Sequence, residues 1–157
     1  VTGLFLAPSA GAPMRLRTEV RTAPGGRGLE GDRYARAAGH WSGNRSEPLT
    51  LVSAEALDEV AARLGRPIDP GSVRRNVVTR GVMLQDLVGR VFRIGEVTLE
   101  GTRPCDPCRY LEELSGVPGL LDGLAGRGGL RAAIRSEGTI RIGDRVEVVE
   151  VVPSSSR

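Results

Sequence analysis

Hydrophobic positions in this chain recur mostly with a period of two. Short stretches in which apolar and polar residues alternate, rich in β-branched side chains, occur in MRLRTEVRT, LTLVS, RRNVVTRGV, RVFRIGEVTLEG and TIRIGDRVEVVEVV. Each predicts a strand with one face turned to a core. The opening VTGLFLAPSAGAPM carries an apolar patch with no charged residue before it and predicts a first strand rather than a secretory leader. Between these runs lie turn signals such as APGGRG, GRPIDPG and RGG, the punctuation of a chain that bends repeatedly around a curled sheet. A period near 3.6 appears clearly once. After Ser53, residues Ala56, Leu57, Val60 and Leu64 fall on one face and Gly65 follows, which predicts an N-capped helix stopped by glycine. Shorter helices are predicted for RYLEELSG and GLLDGLAG. The expectation is a mainly β fold, a barrel-like core with a few peripheral α-helices.

Length and composition narrow this picture. A chain of 157 residues suits one domain with one core, expected over residues 1–152, with 153–157 (PSSSR) as a flexible tail. No stretch of some eighteen apolar residues is present, so a membrane span is not expected. The net charge is +3, and all 22 basic residues are arginine. Guanidinium groups favour planar, bidentate contacts with anions over diffuse attraction. Because the arginines are dispersed and aromatics make up 3% of the chain, no nucleic-acid partner is expected. The expected compartment is the cytoplasm, where thiols stay reduced.

Chemistry concentrates in TRPCDPCRYLEEL, which holds the only two cysteines, Cys105 and Cys108. A disulfide across two intervening residues would close a very small loop and remove little entropy from the unfolded chain. A dithiol redox pair normally stands between a strand and a long helix within a parallel sheet, whereas here the flanks predict antiparallel strands. Half a zinc site is a third reading, with His40, the only histidine, and a carboxylate to complete it, but the paired spacing of such sites is missing. Two thiols packed as small apolar residues is a fourth. The predicted helix start and the guanidinium groups of Arg103 and Arg109 favour negative charge on a sulfur here. Elsewhere, Gly28 and Gly31 in GLEGDRYA permit close backbone approach, and Asp32 and Arg33 can hold a polar ligand or one another. In DPGSVRRNVV, alternation would send Arg74 and Asn76 to one face and Arg75 to the other, leaving at least one turned outward.

The order of GLEGDRY, LTLVSAEAL, RRNVVTRGV, LVGRVFRIGEVTLEGTRPCDPCRYLE, RGGLRAAI and GTIRIGDRVEV resembles a MOSC domain, the module similar to the C-terminal part of molybdenum cofactor sulfurases. The resemblance extends from about Val1 to Val152 and implies a MOSC-type β-barrel core with peripheral helices. It also implies binding of the molybdenum cofactor, molybdopterin carrying the metal, and a cysteine that either ligates molybdenum or carries sulfane sulfur. Cys108, followed by Arg109, Tyr110 and Leu111, is the better match to the family's Pro-Cys segment; Cys105 is the second candidate, able to tune it or to resolve it through a transient bond. By the same resemblance Gly31, Asp32, Arg33, Arg75 and Asn76 become cofactor-binding residues, and Arg103 beside the cysteines joins them. The resemblance extends to amidoxime-reducing proteins, which implies a small molybdoenzyme removing oxygen from N-hydroxylated or related small-molecule substrates. Its electrons would come from a separate donor protein. The alternative is a sulfur-carrier or cofactor-delivery module whose cysteine persulfide is charged by a separate sulfur donor.

Overall fold

A computed structural model describes residues 1–35 and 47–149; His40 and the tail at 153–157 lie outside them. Ten strands are found among the described residues: β1 (Gly3–Leu6), β2 (Arg15–Leu16), β3 (Glu19–Arg21), β4 (Leu49–Ser53), β5 (Val77–Thr79), β6 (Val91–Ile94), β7 (Val97–Pro104), β8 (Leu130–Ile134), β9 (Thr139–Arg141) and β10 (Val146–Val148). Eight of them form one curled sheet in the order β10-β6-β7-β8-β4-β5-β1-β2, and β3 pairs with β9 separately. All neighbours run antiparallel except β4 and β5. A parallel pair needs a crossover between its strands. Here the crossover carries helix α1 (Ala54–Leu64), while α2 (Arg109–Ser115) and α3 (Leu120–Gly123) follow β7. No helix among the described residues is long and apolar enough to cross a membrane.

The strand pattern is legible in burial. Leu4 and Leu6 of β1, Leu49 and Leu51 of β4, Val77 of β5, and Leu130 and Ala132 of β8 join Phe92, Ile94, Val97 and Leu99 in the core enclosed by the sheet. Their alternates Phe5, Val52 and Val78 face the other way, into a second cluster with Leu57 and Val60 of α1, Leu111 of α2, and Leu120. The central strands are therefore covered on both faces, which is why β1 and β5 read as continuous apolar runs rather than strict alternation. Helix α1 starts and stops as expected: the Ser53 hydroxyl accepts a hydrogen bond from the Ala56 amide at 3.1 Å, and Gly65 closes the helix in the left-handed conformation.

Two expectations differ from the structure. MRLRTEVRT is divided into β2 and β3, which belong to different sheets. RRNVVTRGV does not begin as an alternating strand, because Arg74 closes the 3-10 turn Pro70–Val73 with a left-handed φ of 60° and β5 starts only at Val77. Consequently none of Arg74, Arg75 and Asn76 points to solvent, and all three are buried.

Candidate functional site

On the sheet face opposite the enclosed core, the GDRY turn, the Arg74–Arg75 turn, the cysteine loop and β8 converge on one recess. Its walls include Arg33 and Tyr34, Arg74 and Arg75, Cys105, Cys108 and Arg131, and its volume is about 50 Å³. Arg131 arrives there because it alternates with Leu130 and Ala132 along β8, and it lies in register with Thr50 of β4.

The cysteine loop is held from below. The Cys105 amide donates to the Gly129 carbonyl at 2.8 Å. Arg75 donates from Nε to the Gly128 carbonyl at 2.9 Å, and from Nη2 to the carbonyls of Cys105 at 3.0 Å and Asp106 at 3.5 Å. A Cβ at Gly128 would lie 2.5 Å from the Cys105 carbonyl oxygen and 2.6 Å from Pro107 Cδ, so RGG is the floor on which the loop rests. Both cysteines are free thiols. They are not equivalent: Cys105 is 3% exposed, whereas Cys108 is half-buried at the first turn of α2.

The opposite wall is the GDRY turn. Gly31 takes the left-handed φ of 83° that the turn requires. Asp32 is fully buried; its Oδ1 accepts from the Ala7 amide and from Arg33 Nη1, both at 3.1 Å, and its Oδ2 accepts from the Tyr34 amide at 3.3 Å. Arg33 in turn donates from Nη2 to the Arg74 carbonyl at 2.9 Å and from Nη1 to Met14 Sδ at 3.4 Å. Its guanidinium also stacks 4.6 Å from the Tyr34 ring centroid, and that of Arg131 lies 5.6 Å away.

Four guanidinium groups thus line one small recess. Arg74 and Arg131 each keep one buried nitrogen, Nη2 and Nη1, with no hydrogen-bond partner among the described residues. Burial, and then the neighbouring Arg33 cation, push the Arg74 guanidinium below its ordinary pKa. At Arg131 burial also disfavours the charge, but Cys105, Tyr34 and Glu47 together outweigh it and hold the group above its ordinary value. An acceptor anion reaching either nitrogen would satisfy a stranded donor and relieve the crowding of positive charge.

The residues singled out in the sequence take different places. Cys105, Cys108, Arg33 and Arg75 line the recess, although the Arg75 contacts are to main-chain carbonyls. Asp32 stands behind Arg33. Asn76 lies beneath, its Oδ1 accepting from the Thr50 amide and hydroxyl at 3.2 Å each and its Nδ2 donating to the Phe5 carbonyl at 3.2 Å. It ties β4 to β1. Arg103 does not line the recess; it is about half exposed and pairs with Glu47 at 2.7 Å. Sequence reasoning missed Arg74 as a wall residue, because its left-handed turn breaks alternation, and missed Arg131 and Tyr34. The one signal for Arg131 was a charge inside the apolar run LRAAI, since a buried arginine in a central strand needs an anionic or π partner. No group of three or more metal-ligating side chains occurs among the described residues.

A separate cavity of about 650 Å³ lies between α1 and β1, lined by residues including Phe5, Met14, Leu57, Ile68 and Pro70. It contains neither cysteine, and Met14 and Gly71 of its lining touch the recess residues, the Met14 sulfur receiving the Arg33 hydrogen bond and the Gly71 carbonyl that of the Arg74 amide at 3.2 Å.

Residues 38–147 match the family model of the MOSC domain. Among solved structures, the fold is similar to the YuaD protein from Bacillus subtilis, with a TM-score of 0.76 at 22% identity, covering 93% of this chain and 92% of that one. It is also similar to YiiM from Geobacillus stearothermophilus, with a TM-score of 0.74 at 17% identity over 96% of this chain and 74% of that one. YiiM from Escherichia coli aligns with a TM-score of 0.67 at 18% identity over 97% and 72%. No curated protein matches the chain. The solved structures share the mainly β, curled-sheet architecture, and the family model spans the segments that supply Arg74, the cysteine loop and Arg131. The chain belongs to the MOSC domain family, which is associated with molybdenum cofactor binding or sulfur transfer.

Proposed function

We propose that the recess binds the anionic, metal-bearing end of the molybdenum cofactor, with Cys108 as the protein ligand to molybdenum, and that the protein is a small oxidoreductase acting on N-hydroxylated or related N-oxygenated compounds. The observation that carries this reading is the pairing of a half-buried thiol with two buried guanidinium nitrogens that lack partners. A thiolate is a soft donor suited to a metal already held by sulfur. Arginine N–H groups suit the oxygens of a phosphorylated cofactor. Pockets for whole small molecules run to about 300 Å³ and above, so the recess fits the charged end of the cofactor and not its pterin body.

When bound, the cofactor supplies a metal centre able to accept an oxygen atom while two electrons are delivered from a separate donor protein. The chain's own residues do the positioning. Arg74 and Arg131 direct N–H groups at the anionic end; Arg33, oriented by Asp32, adds positive charge; Arg75 and the Gly128–Gly129 floor fix the loop that presents Cys108.

The test is the molybdenum and pterin content of protein purified from a molybdate-replete host. The expected result is metal and pterin in the wild-type protein, with both lost in a Cys108→Ser variant that retains its circular dichroism spectrum. Folded wild-type protein that neither contains nor takes up the cofactor rejects the reading.

A further inference from the structure

We propose that the cavity of about 650 Å³ between α1 and β1 is a second binding site, distinct from the cysteine recess, for a small aromatic organic cation, a planar ring system bearing an ammonium head. This site does not depend on whether the recess takes the cofactor.

Its walls grade from apolar to charged. Phe5, Leu57 and Val78 are buried, Met14 and Ile68 are half-buried, and Asp69 is exposed. A molecule entering here therefore buries its apolar part and leaves a polar end toward water. The size suits a whole small molecule, since such pockets run from about 300 to 1,000 Å³.

The aromatic wall is built by the backbone around it. A Cβ at Gly3 would lie 2.9 Å from Phe5 Cε2, and one at Gly71 would lie 3.2 Å from Phe5 Cε1. Neither glycine takes a left-handed φ, so what each supplies is space. The Phe5 ring thus rests against bare main chain from two separate segments and is held in one place. Met14, whose sulfur accepts the Arg33 hydrogen bond, adds a polarisable thioether. A fixed phenyl ring and a thioether both favour a flat aromatic guest over a branched chain.

Charge selects the head group. The charged residues of the lining are Asp58, Asp69 and Arg80. Arg80 Nη2 donates to Asp58 Oδ2 at 2.9 Å, so those two offset each other. Asp69 has no ion-pair partner among the described residues, and its Oδ1 accepts from the Gly71 amide at 3.0 Å, which anchors the carboxylate. Gly71 is also the residue against which the Phe5 ring rests, so ring and carboxylate meet at one point of the chain. Arg15, Arg17 and Arg66 are nearby in sequence but do not line the cavity. The charge left over is negative, which attracts a cation and repels a carboxylate.

The experiment is calorimetric titration of the full chain at neutral pH with three probes that share one ring: tryptamine, neutral 3-methylindole and indole-3-acetate. Expected is one equivalent of tryptamine, bound about tenfold more tightly than indole-3-acetate. Asp69→Asn should lower tryptamine affinity about fivefold and leave 3-methylindole unchanged, because asparagine keeps the cap hydrogen bond and removes only the charge. Ala61→Phe, which puts a ring into the cavity from α1, should abolish binding of all three. Wild-type protein that takes up no tryptamine at millimolar concentration overturns the proposal. So does indole-3-acetate binding as tightly as tryptamine, and both readouts are independent of how the variants fold. Full-strength tryptamine binding to folded Ala61→Phe puts the cation elsewhere and overturns it as well. A wild-type dimer in sedimentation velocity that Ala61→Phe dissociates and tryptamine does not would assign the cavity to a second copy of the chain, again overturning it.

Discussion

The Arg75 side chain donates to four main-chain carbonyls, those of Val73, Cys105, Asp106 and Gly128. It works as a brace between the 3-10 turn, the cysteine loop and the glycine floor. Its neighbour Arg74 faces the same recess with a nitrogen unclaimed. Adjacent identical residues therefore differ: every hydrogen bond of the Arg75 guanidinium among the described residues is to a main-chain carbonyl, whereas Arg74 donates from Nη1 to the Ala12 carbonyl at 2.6 Å and keeps Nη2 without a partner. Arg103, with its exposed pairing to Glu47, does neither. Arg75→Ala is expected to lower unfolding stability by about 2–3 kcal/mol, since it strands buried carbonyls that a charged donor satisfied. Arg103→Ala should stay within about 1 kcal/mol of wild type, as exposed ion pairs generally do. Urea denaturation of the two variants side by side checks the contrast, and equal losses would contradict the assignment of Arg75 as a brace.

At the scale of elements, the loop carrying the thiols is positioned by steric closeness as much as by hydrogen bonds. It leaves β7, passes over Gly128 and enters α2, and the space beneath it has no room for a side chain. Gly128→Ala is expected to displace the loop by several tenths of an ångström or more while the sheet stays intact. The checking measurement is the reactivity of Cys108 toward a thiol-labelling reagent, which should change in Gly128→Ala at unaltered circular dichroism. An unchanged labelling rate would mean that the floor does not set the thiol's position. Gly101 shows the same economy of space on the far side of β7, where a Cβ would run into the Leu87 carbonyl.

For the whole molecule, the covered strands and the edge strands should differ in how readily they open. β4, β5 and β8 are flanked by pairing strands and packed on both faces, while β2 and β10 lie at the sheet's ends and are mostly exposed. Amide hydrogen exchange is expected to be slowest at Leu51, Val52 and Val77 and fastest at β2 and β10; uniform protection would contradict a sheet with open ends. Much of this architecture was legible beforehand. Alternation revealed β4, β6 and β7, and Ser53 with Gly65 marked the ends of α1. The strand β8 was passed over, because LRAAI is short and its arginine interrupts the apolar run, yet that arginine is what a strand buried on both faces delivers to the recess. The cysteine loop and the GDRY turn stood out by composition. That they meet across Arg33 and Arg74 did not, because the contact depends on a left-handed turn at a non-glycine residue, which no periodicity announces.

The hydrogen bond from Arg33 to the Arg74 carbonyl joins positions 41 apart in the chain, and the one from Arg75 to the Cys105 carbonyl spans 30. The cluster of cations is thus built from long-range contacts: a partly opened chain possesses the thiols but no organised guanidinium groups around them. Under the proposed function, the cofactor would therefore find its site only on a chain whose distant segments have already come together.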